Sequence, residues 1–83
     1  MPAAYVLLNT EIGSGSEVVK ALKNVEGVEL AFNLWGVYDI IASVKADSMD
    51  GLSHIINNRI DKIGKVHSKL TMIIAEINAA TAK

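Results

Sequence analysis

Three segments of this chain that read as β-strands are apolar on both parities, yet only two segments read as helices. Ala4 to Asn9 reads AYVLLN, with Tyr5 and Leu7 on one parity and Val6 and Leu8 on the other. Val37 to Ala46 reads VYDIIASVKA, where Val37, Asp39, Ile41, Ser43 and Lys45 alternate with Tyr38, Ile40, Ala42, Val44 and Ala46. Val66 to Ile77 sets Val66, Ser68, Leu70, Met72 and Ile74 against His67, Lys69, Thr71, Ile73, Ala75 and Ile77. A strand that is apolar on both faces belongs to a sheet covered on both faces. Two helices cover one face. The other face needs a cover that this chain does not supply, and the simplest is a second copy packed sheet to sheet about a two-fold axis.

The remaining elements fall between these strands. Gly13-Ser14-Gly15-Ser16 breaks the first strand, and Ser14 with Glu17 fits a capping box that opens a helix. Val18, Leu22 and Val25 form one apolar helix face, and Gly27 suits a helix end with positive φ. Val28, Leu30, Phe32 and Leu34 then alternate with Glu29, Ala31 and Asn33, the period-two pattern of a half-buried second strand. Gly36 marks a hairpin. A two-residue loop there would place Trp35 at positive φ, so a slightly longer loop is expected. Asp47 and Ser48 offer an N-cap for a second helix, along which Met49, Leu52, Ile55, Ile56, Ile60 and Ile63 keep a helical period up to Gly64. The order β-α-β-β-α-β, with two right-handed crossovers, implies an α+β, ferredoxin-like sandwich: a four-stranded antiparallel sheet with two helices on one face. The whole chain, 1–83, reads as one domain with a core from about 4 to 77 and a frayed tail over 78–83.

Size and composition agree with an oligomer. A chain of 83 residues has a marginal core by itself, yet 51% of its residues are hydrophobic. Cysteine is absent, which removes disulfides and thiolate metal sites and suits a reducing cytoplasm. Lys and Arg number 8 against 9 Asp and Glu, and Arg59 is the only arginine. A near-neutral chain without a basic cluster is a poor candidate for direct nucleic-acid binding. Neither a secretion signal nor an apolar run of membrane-spanning length is evident, so a cytoplasmic location is expected.

Signals of catalysis are sparse. The glycine-serine stretch lacks the Lys-Ser/Thr ending of a phosphate-binding loop, and neither a nucleophile elbow nor zinc-ligand spacing occurs. His54 lies four residues after Asp50, a spacing suited to a helix-surface pair, and His67 sits on the last strand. Both read as structural, and neither metal nor cofactor is expected. The segment Leu34-Trp35-Gly36-Val37-Tyr38-Asp39 is more informative, because it sets a glycine, an aromatic and a carboxylate at a hairpin tip. Gly36 allows close approach to the backbone. Asp39 shares parity with Ile41 and needs a partner. Two readings stay open for it: a turn aspartate that caps backbone amides, or a carboxylate that receives the ammonium group of a small ligand at a subunit boundary. The hydroxyls of Ser68 and Thr71 could fix a bound carboxylate or bond backbone edges.

Gly36-Val37-Tyr38-Asp39-Ile40-Ile41, followed by Ala46-Asp47-Ser48-Met49 and Val66-His67-Ser68-Lys69-Leu70-Thr71-Met72-Ile73, resembles the effector-binding domain of the Lrp/AsnC feast/famine regulators. That domain is also called RAM, for regulation of amino-acid metabolism. The resemblance runs from about Tyr5 to Ile77, and its most specific element is the Gly-x-Tyr-Asp hairpin. It implies the same ferredoxin-like fold, dimers joined through their sheets as a dimeric α+β barrel, often an octamer of four dimers, and a free amino acid bound between dimers. Carried over to this chain, it implies ligand contacts at Gly36, Tyr38 and Asp39, with Ser68 and Thr71 in the last-strand region of the same pocket. Asp39 would hold the α-ammonium, while backbone N–H groups near Gly36 and a strand hydroxyl would hold the carboxylate. Full-length members carry a helix-turn-helix domain before this one, whereas here the first strand follows Met1 almost at once. A stand-alone effector domain is therefore expected, one that joins or competes with full-length relatives, or senses an amino acid, without contacting DNA itself.

Two other functions compete with this one. A small dimeric α+β-barrel enzyme would need converging His, Asn or Trp side chains between helices and sheet, and Trp35 and His67 lie on different elements. A purely structural oligomerisation module would be indifferent to Asp39. Fold alone does not separate the three.

Overall fold

A computed structural model of the protein describes residues 1–74. Strand β1 spans Ala3–Thr10, helix α1 Gly15–Lys23, β2 Val28–Asn33, β3 Ile40–Lys45, helix α2 Met49–His54, and β4 Val66–Ile74. The sheet order is β2-β3-β1-β4, with every neighbouring pair antiparallel. This is the expected α+β, ferredoxin-like sandwich. Ala75 and Ile77 of the expected last strand, and the expected tail, lie outside the described residues.

Both helices pack on one face of the sheet. Val6 and Leu8 of β1, Ile40 and Val44 of β3, Val18 and Leu22 of α1, and Leu52 of α2 are almost fully buried in one cluster. Fully burying side chains of this size stabilises a fold by about 1.5–3 kcal/mol each, which a chain this short requires.

The opposite face is apolar and uncovered. Register places Tyr5 beside Ser43 and Met72, Leu7 beside Ile41 and Leu70, and Phe32 beside Ile41, so all share one side of the sheet. Strand β2 is half-buried, as its alternation implies, and the structure shows which face the helices cover. Leu30 and Phe32 are each 55% exposed, whereas Ala31 is buried against the helices. The large residues of β2 therefore extend the uncovered face, and the small one lies beneath the helical layer.

Capping differs between the two helices. The box expected at Ser14 and Glu17 does not form. Ser14 has φ −101° and ψ 3° and its side chain makes no cap bond, while Glu17 instead pairs with Lys65 at 2.9 Å. Ser48, with extended φ −146° and ψ 163°, accepts the Gly51 amide at 3.0 Å, as an N-cap does. Past α2 the helix widens into a π-helical segment, Ile55–Ile60, marked by an Asp61 N–H bond to the Ile56 carbonyl at 3.2 Å. Leu52, Ile56 and Ile60 recur every fourth residue and are all buried. In a regular α-helix four residues overshoot a full turn by about 40°. A stretch of wider turns offsets that drift and keeps the three side chains on the sheet. His54 pairs with Asn58 at 3.0 Å rather than with Asp50. No helix among the described residues is long and apolar enough to cross a membrane.

Candidate functional site

The β2–β3 hairpin is closed by the Leu34 N–H, which donates to the Asp39 carbonyl at 2.7 Å. Four residues, Trp35 to Tyr38, lie between them, so the loop is longer than two residues, as expected. Gly36 has φ +144°, a conformation that favours glycine, and open space surrounds its α-carbon. Trp35 is fully exposed and Tyr38 half-buried.

Asp39 precedes β3 and fastens the hairpin to the end of β1. Its N–H donates to the Leu8 carbonyl at 2.9 Å, and its Oδ2 accepts the Thr10 N–H at 2.9 Å. Pairing of β1 with β3 ends at Leu8–Ile40, and the β1–β4 register shifts between Asn9 and Thr10. The Asp39 carboxylate supplies the acceptor for the Thr10 amide beyond that end. On the other side of β1, Asn9 Nδ2 donates to Ser68 Oγ at 3.3 Å. Asp39 and Ser68 thus flank the same end of β1.

The remaining residues named from the sequence are not gathered here. Thr71 pairs with Val6, which is buried on the helix side, so it faces away from Ser68, whose partner Asn9 lies on the uncovered side. Of Gly36, Tyr38, Asp39, Ser68 and Thr71, one residue, Asp39, lines a cavity of about 330 Å³ between the hairpin and the β1–α1 loop. Thr10, Ile12, Gly15, Asn33 and Leu34 also line it. Sequence reasoning missed Thr10, Ile12 and Asn33, because only the pairing of β1 beside β3 brings their two loops together.

Two further concavities lie among the described residues. A groove of about 750 Å³ lies at the opposite end of the sheet, where β2 starts and β3 ends, and is lined by Gly27, Lys45, Ser48, His54 and Arg59 among others. Lys45 is already 3.8 Å from Glu29 there, and both are half-exposed, so it is a solvated ion pair more than a built site. A cup of about 240 Å³ formed by Tyr5, Leu30, Phe32, Ile41 and Ser43 belongs to the uncovered sheet face. Among the described residues, no three His, Asp or Glu side chains converge as a metal site needs.

The sequence over residues 3–80 matches the family model of the Lrp/AsnC ligand binding domain. The chain belongs to that family. The protein FFRP-DM1, of known crystal structure, is 31% identical, with a TM-score of 0.85 over 89% of this chain and 99% of its own. A hypothetical protein from Pyrococcus horikoshii is 30% identical, with a TM-score of 0.85 over 99% of this chain and 100% of its own. A transcriptional regulator from Neisseria meningitidis, solved as a complex with L-Met, shares the fold at 14% identity and a TM-score of 0.77, over 90% of this chain and 50% of its own. No curated protein is a significant match to the chain. In this Lrp/AsnC ligand-binding domain, the Gly36-Val37-Tyr38-Asp39 hairpin stands beside the cavity that Asp39 lines.

Proposed function

We propose that the domain is an amino-acid-responsive regulatory module. It dimerises through its uncovered sheet face as a dimeric α+β barrel, assembles further toward an octamer, and binds a free amino acid where dimers meet. The observation that carries this reading is the position of Asp39, a carboxylate held at a hairpin beside a cavity. One of its oxygens accepts a backbone amide at 2.9 Å. A carboxylate oxygen has further lone pairs, so Asp39 can take an α-ammonium while it keeps that bond.

Gly36, Tyr38, Ser68 and Thr71 complete the proposed site. Ser68 and Thr71 face opposite sides of β4, so they meet one ligand only if a second copy supplies one of them. That requirement suits a site shared between dimers. Backbone N–H groups near Gly36 and one of these hydroxyls would hold the ligand carboxylate. A ligand bridging dimers favours the assembly that completes its site, which couples amino-acid concentration to oligomer population. The Neisseria regulator's complex with L-Met supports the ligand class. With a net charge of −1 and a single arginine, the domain would act in the cytoplasm on transcription through full-length relatives rather than on DNA directly.

The test is titration calorimetry of the chain against the twenty amino acids, repeated with Asp39→Asn. Binding of at least one amino acid, weakened tenfold or more by the substitution, is the expected result. Absence of heat at millimolar concentrations overturns the reading. A structural module then becomes the better account, since the Thr10 amide already gives Asp39 a purely structural use.

A further inference from the structure

Gly15 is the first residue of α1, and its backbone does not explain its lack of a side chain: unlike Gly13, Gly27 and Gly36, it is not at positive φ. One side chain stands close to it. A Cβ built on Gly15 would lie 2.9 Å from Asn33 Oδ1, the end of an exposed side chain, and would push that carboxamide aside. Asn33 is the last residue of β2, two positions after buried Ala31 and therefore on the helix side of the sheet. There it reaches the start of α1 and lines the cavity beside Asp39. Its side chain is exposed, and among the described residues its carboxamide has no hydrogen-bond partner, which leaves it open to solvent or to a ligand.

We infer that Asn33 selects the side chain of the bound amino acid and that Gly15 makes room for the Asn33 carboxamide. This inference rests on the reading of the Asp39 cavity as part of the ligand site. Asp39 takes the ammonium group, and Ile12 and Leu34 wall a cavity of about 330 Å³. Asn33 supplies a donor and an acceptor at the same wall. The ligand class this favours is a short amino acid with a hydroxyl or carboxamide side chain. An aliphatic side chain of equal shape would displace water from the carboxamide without replacing its hydrogen bonds, and unpaired polar groups discriminate strongly.

The test uses two near-isosteric pairs, L-threonine with L-valine and L-asparagine with L-leucine, titrated into the full chain and into Asn33→Leu and Gly15→Ala. In at least one pair the polar member is expected to bind the unaltered chain at least tenfold more tightly. Asn33→Leu is expected to abolish or reverse that ratio. Gly15→Ala places a better helix former at a position not held at positive φ, so its thermal midpoint should hold or rise. It should still blunt the ratio, because the carboxamide is displaced. Binding confined to charged or aliphatic amino acids, or a ratio unchanged by Asn33→Leu, overturns this inference and leaves the amino-acid reading intact. Lack of binding by any of the twenty amino acids overturns both.

Discussion

The Asp39 carboxylate accepts the Thr10 backbone amide at 2.9 Å, and through that bond the hairpin carrying Gly36 is fixed to the end of the central strand β1. The two readings of Asp39 are therefore compatible, since one oxygen caps the backbone while the carboxylate keeps capacity for a ligand.

Substitutions at Asp39 separate the two uses. Asp39→Ala strands the partly buried Thr10 amide and is expected to cost about 1–2 kcal/mol in urea denaturation. Asp39→Asn retains an acceptor of the same shape but not its charge, and is expected to cost less than Asp39→Ala, about 0.5–1 kcal/mol. Both should lose amino-acid binding by calorimetry. Equal destabilisation by the two variants would show that the charge, not the acceptor, holds the hairpin.

Charge on the uncovered face should block self-association. Phe32 is 55% exposed on the edge strand β2 and sits beside Ile41 in the apolar patch. Phe32→Asp is expected to leave circular dichroism unchanged while the sedimenting mass falls to that of one chain, because a buried unpaired carboxylate at a dimer interface is costly. An unchanged mass would place the dimer contact elsewhere.

Lys69 joins β4 to the end of the second helix. Its ammonium lies 2.6 Å from Asp61 Oδ1 and 3.2 Å from the Ile56 carbonyl, and its side chain is 16% exposed. The same carbonyl accepts the Asp61 amide of the π-helical segment. Lys69→Met is expected to cost about 1–2 kcal/mol, with loss of amide-exchange protection concentrated over residues 55–61. Uniform loss across the chain would mean that the lysine does not act on this segment in particular.

Lys65 and Glu17 link the turn before β4 to the start of α1. The Glu17 hydrogen bond and charge, with a smaller contribution from Glu11, raise the Lys65 ammonium above its ordinary range. The pair's contribution is therefore complete below the ordinary lysine value and is lost as pH rises through the raised one. Both residues are exposed, so salt should screen the pair. Lys65→Gln is expected to flatten the alkaline limb of the stability profile at low salt and to change nothing at high salt. An identical alkaline limb in the two proteins would remove the pair from the account.

The fold was legible because strand parity, helix period and turn glycines all point to one order of elements. What could not be read was which face of β2 the helices cover. Alternation shows that Leu30 and Phe32 share a side and that Ala31 has the other, yet the helical layer takes the small residue. Helix capping was ambiguous for a similar reason. Ser14 and Ser48 look alike as letters, but only Ser48 has the extended backbone that aims its hydroxyl at the helix. In the site, the Gly36–Asp39 hairpin was visible as a local motif. Thr10, Asn33 and Gly15 were not, because their convergence depends on strand pairing and on one helix start meeting one strand end.

The most direct measurement is the light-scattering mass of the chain alone and with each of the twenty amino acids. The expected result is a dimer or larger without ligand and a mass that shifts with at least one amino acid. A single-chain mass, or a mass that every amino acid leaves unchanged, would contradict the coupling of ligand to assembly.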